Sequence, residues 1–464
     1  MFSESTYIAR RRRLKEDLKS GIILFLGNAG SPINYADNEY GFRQDSSFLY
    51  FWGIDLPGLA AVIDIEQDRE IMFGRELTIE DIIWSGPGLP LREHCLKCGV
   101  RNLAASEKLT GTLNEAVRKG RSVHFLPQYR PENFIKIQEL LGLNVSIVNY
   151  HTSSALIRAV VAQRSVKTQE EIAQIEMALD AAHDMHTLAM RTAQPGRREN
   201  EIVAAMLGRA YARTGVGLPY PIIFTTRGHI LHNQRHQNLM QAGDLVINDS
   251  GCESHLHYAS DITRTFPVDG KFTSRQKEIY AVVLQAQKTA IENIRAGIEY
   301  RSVHLMAARE VVLGLKALGL MAGEVEAAVA AGAHALFFPH GLGHMLGLDA
   351  HDMENLGEDY VGYTDTIQRN PQFGLCYLRL AKALEPGFVL TVEPGLYFIP
   401  ELIDRWQAEK KCAEFINYDQ VAAYRNFGGV RIEDDVLVLP EGRRVLGKPI
   451  AKSIEEVEAL AGKA

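Results

Sequence analysis

The stretch Leu245-Val-Ile-Asn-Asp249-Ser-Gly251 ends an apolar, β-branched run on a carboxylate and passes at once into a glycine. Such a run reads as a strand, and an acid at its buried end needs a partner, because an unpaired buried charge is very costly. Three more acids stand in comparable places. Asp261 falls in the strand-like Ser260-Asp261-Ile-Thr-Arg-Thr265, Glu393 in Leu390-Thr-Val-Glu393-Pro-Gly395 before a turn, and Glu433 in Gly429-Val-Arg431-Ile-Glu433-Asp-Asp-Val436. Taken singly, each can cap a turn or pair with an arginine. Together they repel one another unless protons or cations lie between them, and two divalent cations would cancel four negative charges.

Outward from these segments the second half alternates helical and strand patterns. Thr168-Gln-Glu-Glu171 reads as a capping box before an amphipathic run over 170–192, closed by Pro195-Gly196. Further helices are expected over 199–213, 274–295, 302–318 and 324–335, and strands over 221–225, 245–248, 261–267, 388–392, 395–398 and 430–439. Before residue 150, apolar runs at 21–27, 59–65 and 122–126 alternate with helix-compatible stretches at 107–119 and 131–141, an α/β signature. The pattern loosens between Tyr150 and Thr168, which places a boundary near residue 165 and predicts two domains, 1–165 and 166–464.

The histidines near the acids are selective. His340-Gly-Leu-Gly-His344 has the spacing of the helical zinc-protease pair, yet it lacks the glutamate after the first histidine and carries glycines where that motif needs helix. Glycines suit a tight loop whose backbone approaches a ligand, and His351-Asp352 follows closely. His232 lies ahead of the first acid-bearing strand. His183, His186, His255, His257 and His304 read as ordinary structural residues.

Bulk properties exclude other classes. A chain of 464 residues with 50 basic and 57 acidic side chains, net charge −7, has no one-signed field for nucleic acid or an anionic membrane. The basic run Arg10–Arg13 is followed at once by mixed charges and reads as a solvated helix face rather than a targeting signal. No apolar run approaches the roughly 20 residues of a membrane span. Five cysteines without a framework fit reduced thiols, with Cys95-Leu-Lys-Cys98 a partly buried pair rather than a zinc or redox site, and the expected location is cytoplasmic.

Five segments, Asp249-Ser-Gly251, Tyr258-Ala-Ser-Asp261-Ile-Thr-Arg-Thr265, His340 to Asp352, Val392-Glu393-Pro-Gly-Leu-Tyr397 and Arg431-Ile-Glu433-Asp434, resemble in order and spacing the signatures of the aminopeptidase P and prolidase group of pita-bread metallopeptidases. Asn38-Glu-Tyr40-Gly-Phe-Arg43-Gln-Asp-Ser-Ser-Phe48 is similar to a motif of that group's N-terminal domain, so the likeness covers nearly the whole chain. It implies an α/β (α+β) architecture: an N-terminal creatinase/aminopeptidase P-like domain followed by a pita-bread catalytic domain. It also implies removal of the residue preceding a proline. By the same resemblance Asp249 chelates one metal, Asp261 and Glu433 bridge two, and His344 and Glu393 complete the second. One imidazole among hard oxygens suits Mn²⁺, with Co²⁺, Fe²⁺ or Zn²⁺ as alternatives. Two such ions can share and acidify a water for attack on the scissile carbonyl. Glu393 would move its proton to the leaving proline nitrogen. The resemblance further makes His351 and His232 donors to the reacting carbonyl and His340 a wall of the proline pocket. Arg431 would orient the ligands, and Trp84 would be an aromatic lent to a neighbouring subunit's cleft in a homodimer or homotetramer.

Two stretches depart from compact members of the group, 353–384 and 400–427, both expected as long loops beside ligand-bearing segments and able to narrow the cleft. They leave a prolidase-type dipeptidase as the nearest rival. A metal-free creatinase-like hydrolase and a non-catalytic pita-bread binding protein are further alternatives, and the full set of five ligand-type residues argues against both.

Overall fold

A computed structural model of the chain describes residues 1–463. The chain divides into two compact units, one formed by Met1–Arg164 with Met353–Tyr360, the other by Ser165–Asp352 with Val361–Ala464.

The first unit is built on a mixed five-stranded sheet. Its strands are β1 (Ile22–Leu26), β2 (Ala60–Asp64), β3 (Arg69–Phe73), β4 (Asn102–Ala104) and β5 (Val123–His124), in the order β4-β3-β2-β1-β5. β1 and β2 are buried along their whole length, which is why they read as apolar runs, broken only by Asp64 at the end of β2. The helices Lys108–Arg118 and Pro131–Leu141 bury Leu109, Leu113, Ile137 and Leu140 into the same core as Leu24 and Val62. Arg10 and Arg11 correct the solvated reading of the basic run: both are buried. Arg11 donates to Glu70, to the Phe51 and Cys98 carbonyls, and lies over the Trp52 ring. These partners are distant in sequence, and a buried guanidinium with its N–H groups satisfied does not carry the cost of an orphan charge. Cys95 and Cys98 are buried, and burial raises their thiols to about 12 and about 11, which makes them inert.

The second unit carries three small antiparallel sheets. β6 (Ile223–Thr225), β7 (Leu245–Asp249) and β8 (Thr263–Pro267) pair in the order β6-β7-β8. β9 (Val389–Val392) and β13 (Arg443–Val445) flank β12 (Asp434–Val438), while β10 (Gly395–Tyr397) pairs with β11 (Gly429–Arg431). The helices Gln169–Thr192 and Glu199–Thr214 form one packed pair, Ser274–Asn293 and Tyr300–Ala317 another. Capping boxes start them at Thr168/Glu171 and Thr273/Gln276, each worth about 1 kcal/mol. Among the described residues, no helix is long and apolar enough to cross a membrane.

Several expectations shift in detail. Asp261 precedes its strand rather than lying within it, since β8 begins at Thr263. The run expected over 430–439 breaks at Ile432-Glu433 into β11 and β12, which join different sheets. A helix, Ser154–Ser165, occupies the stretch where the pattern loosened. The two long stretches are not bare loops: 400–427 contains the helix Pro400–Ala408, and 353–384 contains several one-turn helices.

Candidate metal centre

Strand ends deliver the acids to one place. Asp249 is the last residue of β7, Glu393 follows β9, and Glu433 sits in the break between β11 and β12. Asp261 is brought alongside by its N–H, which donates to Asp435 Oδ2 at 3.1 Å. His344 enters on a glycine loop pressed against β9: a Cβ on Gly343 would lie 2.0 Å from the Thr391 carbonyl oxygen, so only glycine permits the approach. There the Thr391 N–H donates to the His344 carbonyl and the His344 N–H to Thr391 Oγ1, at 3.0 and 3.1 Å.

The donor set fits a cation. His344 Nδ1 donates to the Met345 carbonyl oxygen at 3.0 Å, so Nε2 carries the lone pair. That lone pair faces Asp261 Oδ2 at 3.5 Å and Glu393 Oε1 at 3.6 Å. Ligand atoms of Asp261, His344 and Glu433 lie within 4.8 Å of one another. Asp249 Oδ1 is buried with no hydrogen-bond partner among the described residues. Burial, then the neighbouring carboxylates, push Asp261, Glu393 and Glu433 well above the ordinary carboxylate range. Protons or metal ions must fill such a site.

Around the acids runs a hydrogen-bond chain whose polarity is fixed by its ends. His340 Nδ1 donates to the Gly341 carbonyl at 2.8 Å, leaving Nε2 to accept from the Tyr397 hydroxyl at 2.9 Å. Arg431 donates to Tyr397 Oη at 2.8 Å, to Asp249 Oδ2 at 2.5 Å and to Thr263 Oγ1 at 3.1 Å. Thr263 in turn donates to Glu433 Oε2 at 2.7 Å. With both ring nitrogens engaged, His340 offers a ligand its ring face alone, and burial holds its pKa down at about 3. Burial and the Arg431 charge likewise lower His232.

A cavity of about 950 Å³ opens onto this cluster. It is lined by Asp249, Asp261, His344, Glu393 and Glu433, by His232, His340, His351 and Arg431, and by Phe373, Tyr377, Arg379, Leu402 and Arg405 from the two long stretches. The structure thus brings together every residue singled out in the sequence except Trp84. That residue lies in the first unit, 81% exposed on a helix, Ile79–Ser85, with no buried residue. The sequence reading missed Tyr220, whose hydroxyl donates to Asp261 Oδ1 at 2.5 Å. His186, read as a structural residue, is fully buried and fixes the end of β7 through Asn248 and the Ser250 carbonyl. The Pro219-Tyr220-Pro221 setting is the one local sign that Tyr220 is held rigidly.

Comparison with known proteins identifies the family. The family model for metallopeptidase family M24 matches residues 173–440, and that for the aminopeptidase P N-terminal domain matches residues 7–124. The chain is 33% identical to the Xaa-Pro aminopeptidase of Escherichia coli strain K12, covering 99% of this chain and 98% of that one. It is 30% identical to the Xaa-Pro dipeptidase of Homo sapiens, covering 98% and 92%. Among solved structures, Pseudomonas aeruginosa aminopeptidase PepP superposes with a TM-score of 0.82 at 28% identity, covering 99% of this chain and 98% of that chain. Zn-substituted E. coli aminopeptidase P in complex with product gives 0.80 at 31%, with the same coverage. The chain belongs to metallopeptidase family M24, with an aminopeptidase P N-terminal domain ahead of a pita-bread catalytic domain, and is a metal-dependent hydrolase.

Proposed function

We propose that the chain is a Xaa-Pro aminopeptidase, cleaving the bond between an N-terminal residue and a following proline. The observation that carries this reading is the His344 lone pair facing Asp261 and Glu393 in the lining of a cavity large enough for a short peptide. The names of relatives on both structural and sequence grounds support the proline preference.

Asp249, Asp261, His344, Glu393 and Glu433 would hold two divalent ions, Mn²⁺ by preference, since four of the five donors are hard oxygens. When bound, such ions polarise the scissile carbonyl and acidify a water. Glu393, which lines the cavity, would accept a proton from the attacking water and pass it to the proline nitrogen, which must be protonated to leave. His232 and His351 line the same cavity and donate N–H bonds to the oxygen where charge develops, a task worth a few kcal/mol per donor. His340, its nitrogens engaged, forms the flat wall on which a pyrrolidine ring packs. Arg431 keeps Asp249 and Glu433 oriented, the latter through Thr263. Trp84, exposed beside Ile79 at 76% and Ile83 at 71%, is assigned to a contact between subunits of a homo-oligomer, because an apolar patch of this kind marks an interface.

A second reading, a Xaa-Pro dipeptidase, is favoured by one feature. Arg379 and Arg405 line the cavity with Phe373, Tyr377 and Leu402, giving cations that suit a free carboxylate within a narrowed wall. Hydrolysis of Xaa-Pro and of Xaa-Pro-Yaa-Yaa by the Mn²⁺-loaded protein decides between them. Cleavage of the longer peptide is expected, and activity on the dipeptide alone would overturn the first reading. Undiminished turnover after chelation would overturn both.

A further inference from the structure

Lys167 Nζ and Asp352 Oδ2 lie 2.9 Å apart, each side chain 1% exposed. A fully buried ion pair gives up the hydration of two charges, and replacing such a pair by apolar residues is often neutral or stabilising, so its position needs a reason. Asp352 ends the loop that starts at His344 and includes His351, whose rings meet edge to face with centroids 4.4 Å apart. The loop is closed at Asp352, whose N–H donates to the Met345 carbonyl at 2.9 Å. Lys167 is itself fixed by its backbone N–H, which donates to the Gly387 carbonyl at 2.8 Å just before β9. Gly347 lies against the pair: a Cβ there would fall 2.4 Å from Asp352 Oδ2 and 3.0 Å from Lys167 Cε. Lys167, distant in sequence, therefore forms one fitted unit with Gly347 and Asp352 of the loop.

We propose that Lys167 is a positioning residue for the reaction. Through Asp352 it holds the loop 344–352 so that the His344 imidazole faces the acids and His351 faces the cavity. Gly347 is glycine because the ion pair occupies the place of its side chain. This rests on the roles assigned above to His344 and His351. Because His351 acts on the reacting oxygen, loss of positioning should lower kcat more than it raises KM.

The test uses the full-length chain and Lys167→Met, Gly347→Ala and, as a control, Arg121→Met, which breaks the Arg121–Asp64 pair in the first unit. Three quantities are read: amide exchange over 344–352 in the metal-free protein, the Mn²⁺ concentration for half-saturation, and kcat and KM on a Xaa-Pro-Yaa peptide. Lys167→Met and Gly347→Ala should each raise exchange in that loop, raise half-saturation by about tenfold or more, and lower kcat by about tenfold or more with KM changed less than about threefold. Arg121→Met should change none of the three. If Lys167→Met leaves all three within about twofold of wild type, the pair is merely structural and the proposal falls; if Lys167→Met does not fold, Gly347→Ala decides on the same criteria. If wild-type protein neither binds Mn²⁺ nor cleaves peptide, the metallopeptidase reading fails instead, and exchange in the metal-free loop still decides whether Lys167 holds it.

Discussion

Tyr220→Phe removes one hydroxyl and leaves a ring of almost the same shape, so its effect isolates a single hydrogen bond. The Tyr220 hydroxyl meets Asp261 Oδ1 at 2.5 Å, while Asp261 Oδ2 faces His344. Burial and the surrounding carboxylates raise the phenol well above its ordinary value, so it stays protonated and acts as donor. In the metal-free chain Asp261 is itself pushed toward its neutral form, and a hydrogen bond to a neutral acceptor contributes about 1 kcal/mol. With a cation in place Asp261 is ionised, and the same bond contributes about 1.5–3 kcal/mol. The difference, about 0.5–2 kcal/mol, predicts that Tyr220→Phe weakens Mn²⁺ binding about 2- to 30-fold. Isothermal titration of chelator-stripped protein measures it, with thermal unfolding of the metal-free variant to show that the fold is kept. Half-saturation within twofold of wild type would refute the claim that Tyr220 orients a metal ligand.

Other consequences follow from the same arrangement. Glu433→Ala should abolish metal occupancy and turnover together, and a variant with full activity would remove Glu433 from the ligand set. Gly343→Ala places a methyl 2.0 Å from the Thr391 carbonyl oxygen, so it should displace His344 and eliminate measurable Mn²⁺ binding even where circular dichroism shows the chain folded. Because Asp261, Glu393 and Glu433 have raised pKa values, the metal-free chain holds protons there that the unfolded chain has already lost. Stabilisation by a fixed Mn²⁺ concentration should therefore grow as pH rises above the ordinary carboxylate range, and a flat or falling profile would contradict this. His304 and His334 are buried with no hydrogen-bond partner among the described residues, and burial lowers them to about 3 and about 4. Their contribution is complete above about pH 6.5 and is lost as pH falls toward those values, so His304→Leu should flatten the acid side of a denaturant-measured stability profile.

What could be seen in the sequence, and what could not, divides along a physical line. Asp249, Glu393 and Glu433 were visible because each interrupts an apolar strand, a local contradiction that a reader of one segment can detect. His344 was visible because glycines precede it in a pattern that suits a tight loop approaching a ligand and not the helix of the zinc-protease motif. Asp261 seemed to lie inside a strand because Ser260 to Thr265 keeps the strand period, yet β8 starts only at Thr263, where pairing with β7 begins. Lys167, Tyr220 and Arg11 were missed for one common reason: their partners Asp352, Asp261 and Glu70 lie far away in sequence, and apart from the prolines on either side of Tyr220 nothing local sets these residues apart from surface ones. The helix Pro400–Ala408 buries only Ile403 and Trp406, too few apolar positions to establish a period within a charged stretch. The Phe373–Trp406 ring contact, centroids 5.7 Å apart, joins it to the other long stretch, a tertiary feature no local pattern reveals.

The most direct measurement is metal content taken together with peptide hydrolysis on one preparation, stripped by chelator and then reloaded with Mn²⁺ stepwise. The expected result is two ions bound per chain, with cleavage of Xaa-Pro-Yaa-Yaa absent from the stripped protein and returning in step with occupancy. Cleavage by the stripped protein at the full rate, or a chain that binds no divalent metal, would contradict the assignment of Asp249, Asp261, His344, Glu393 and Glu433.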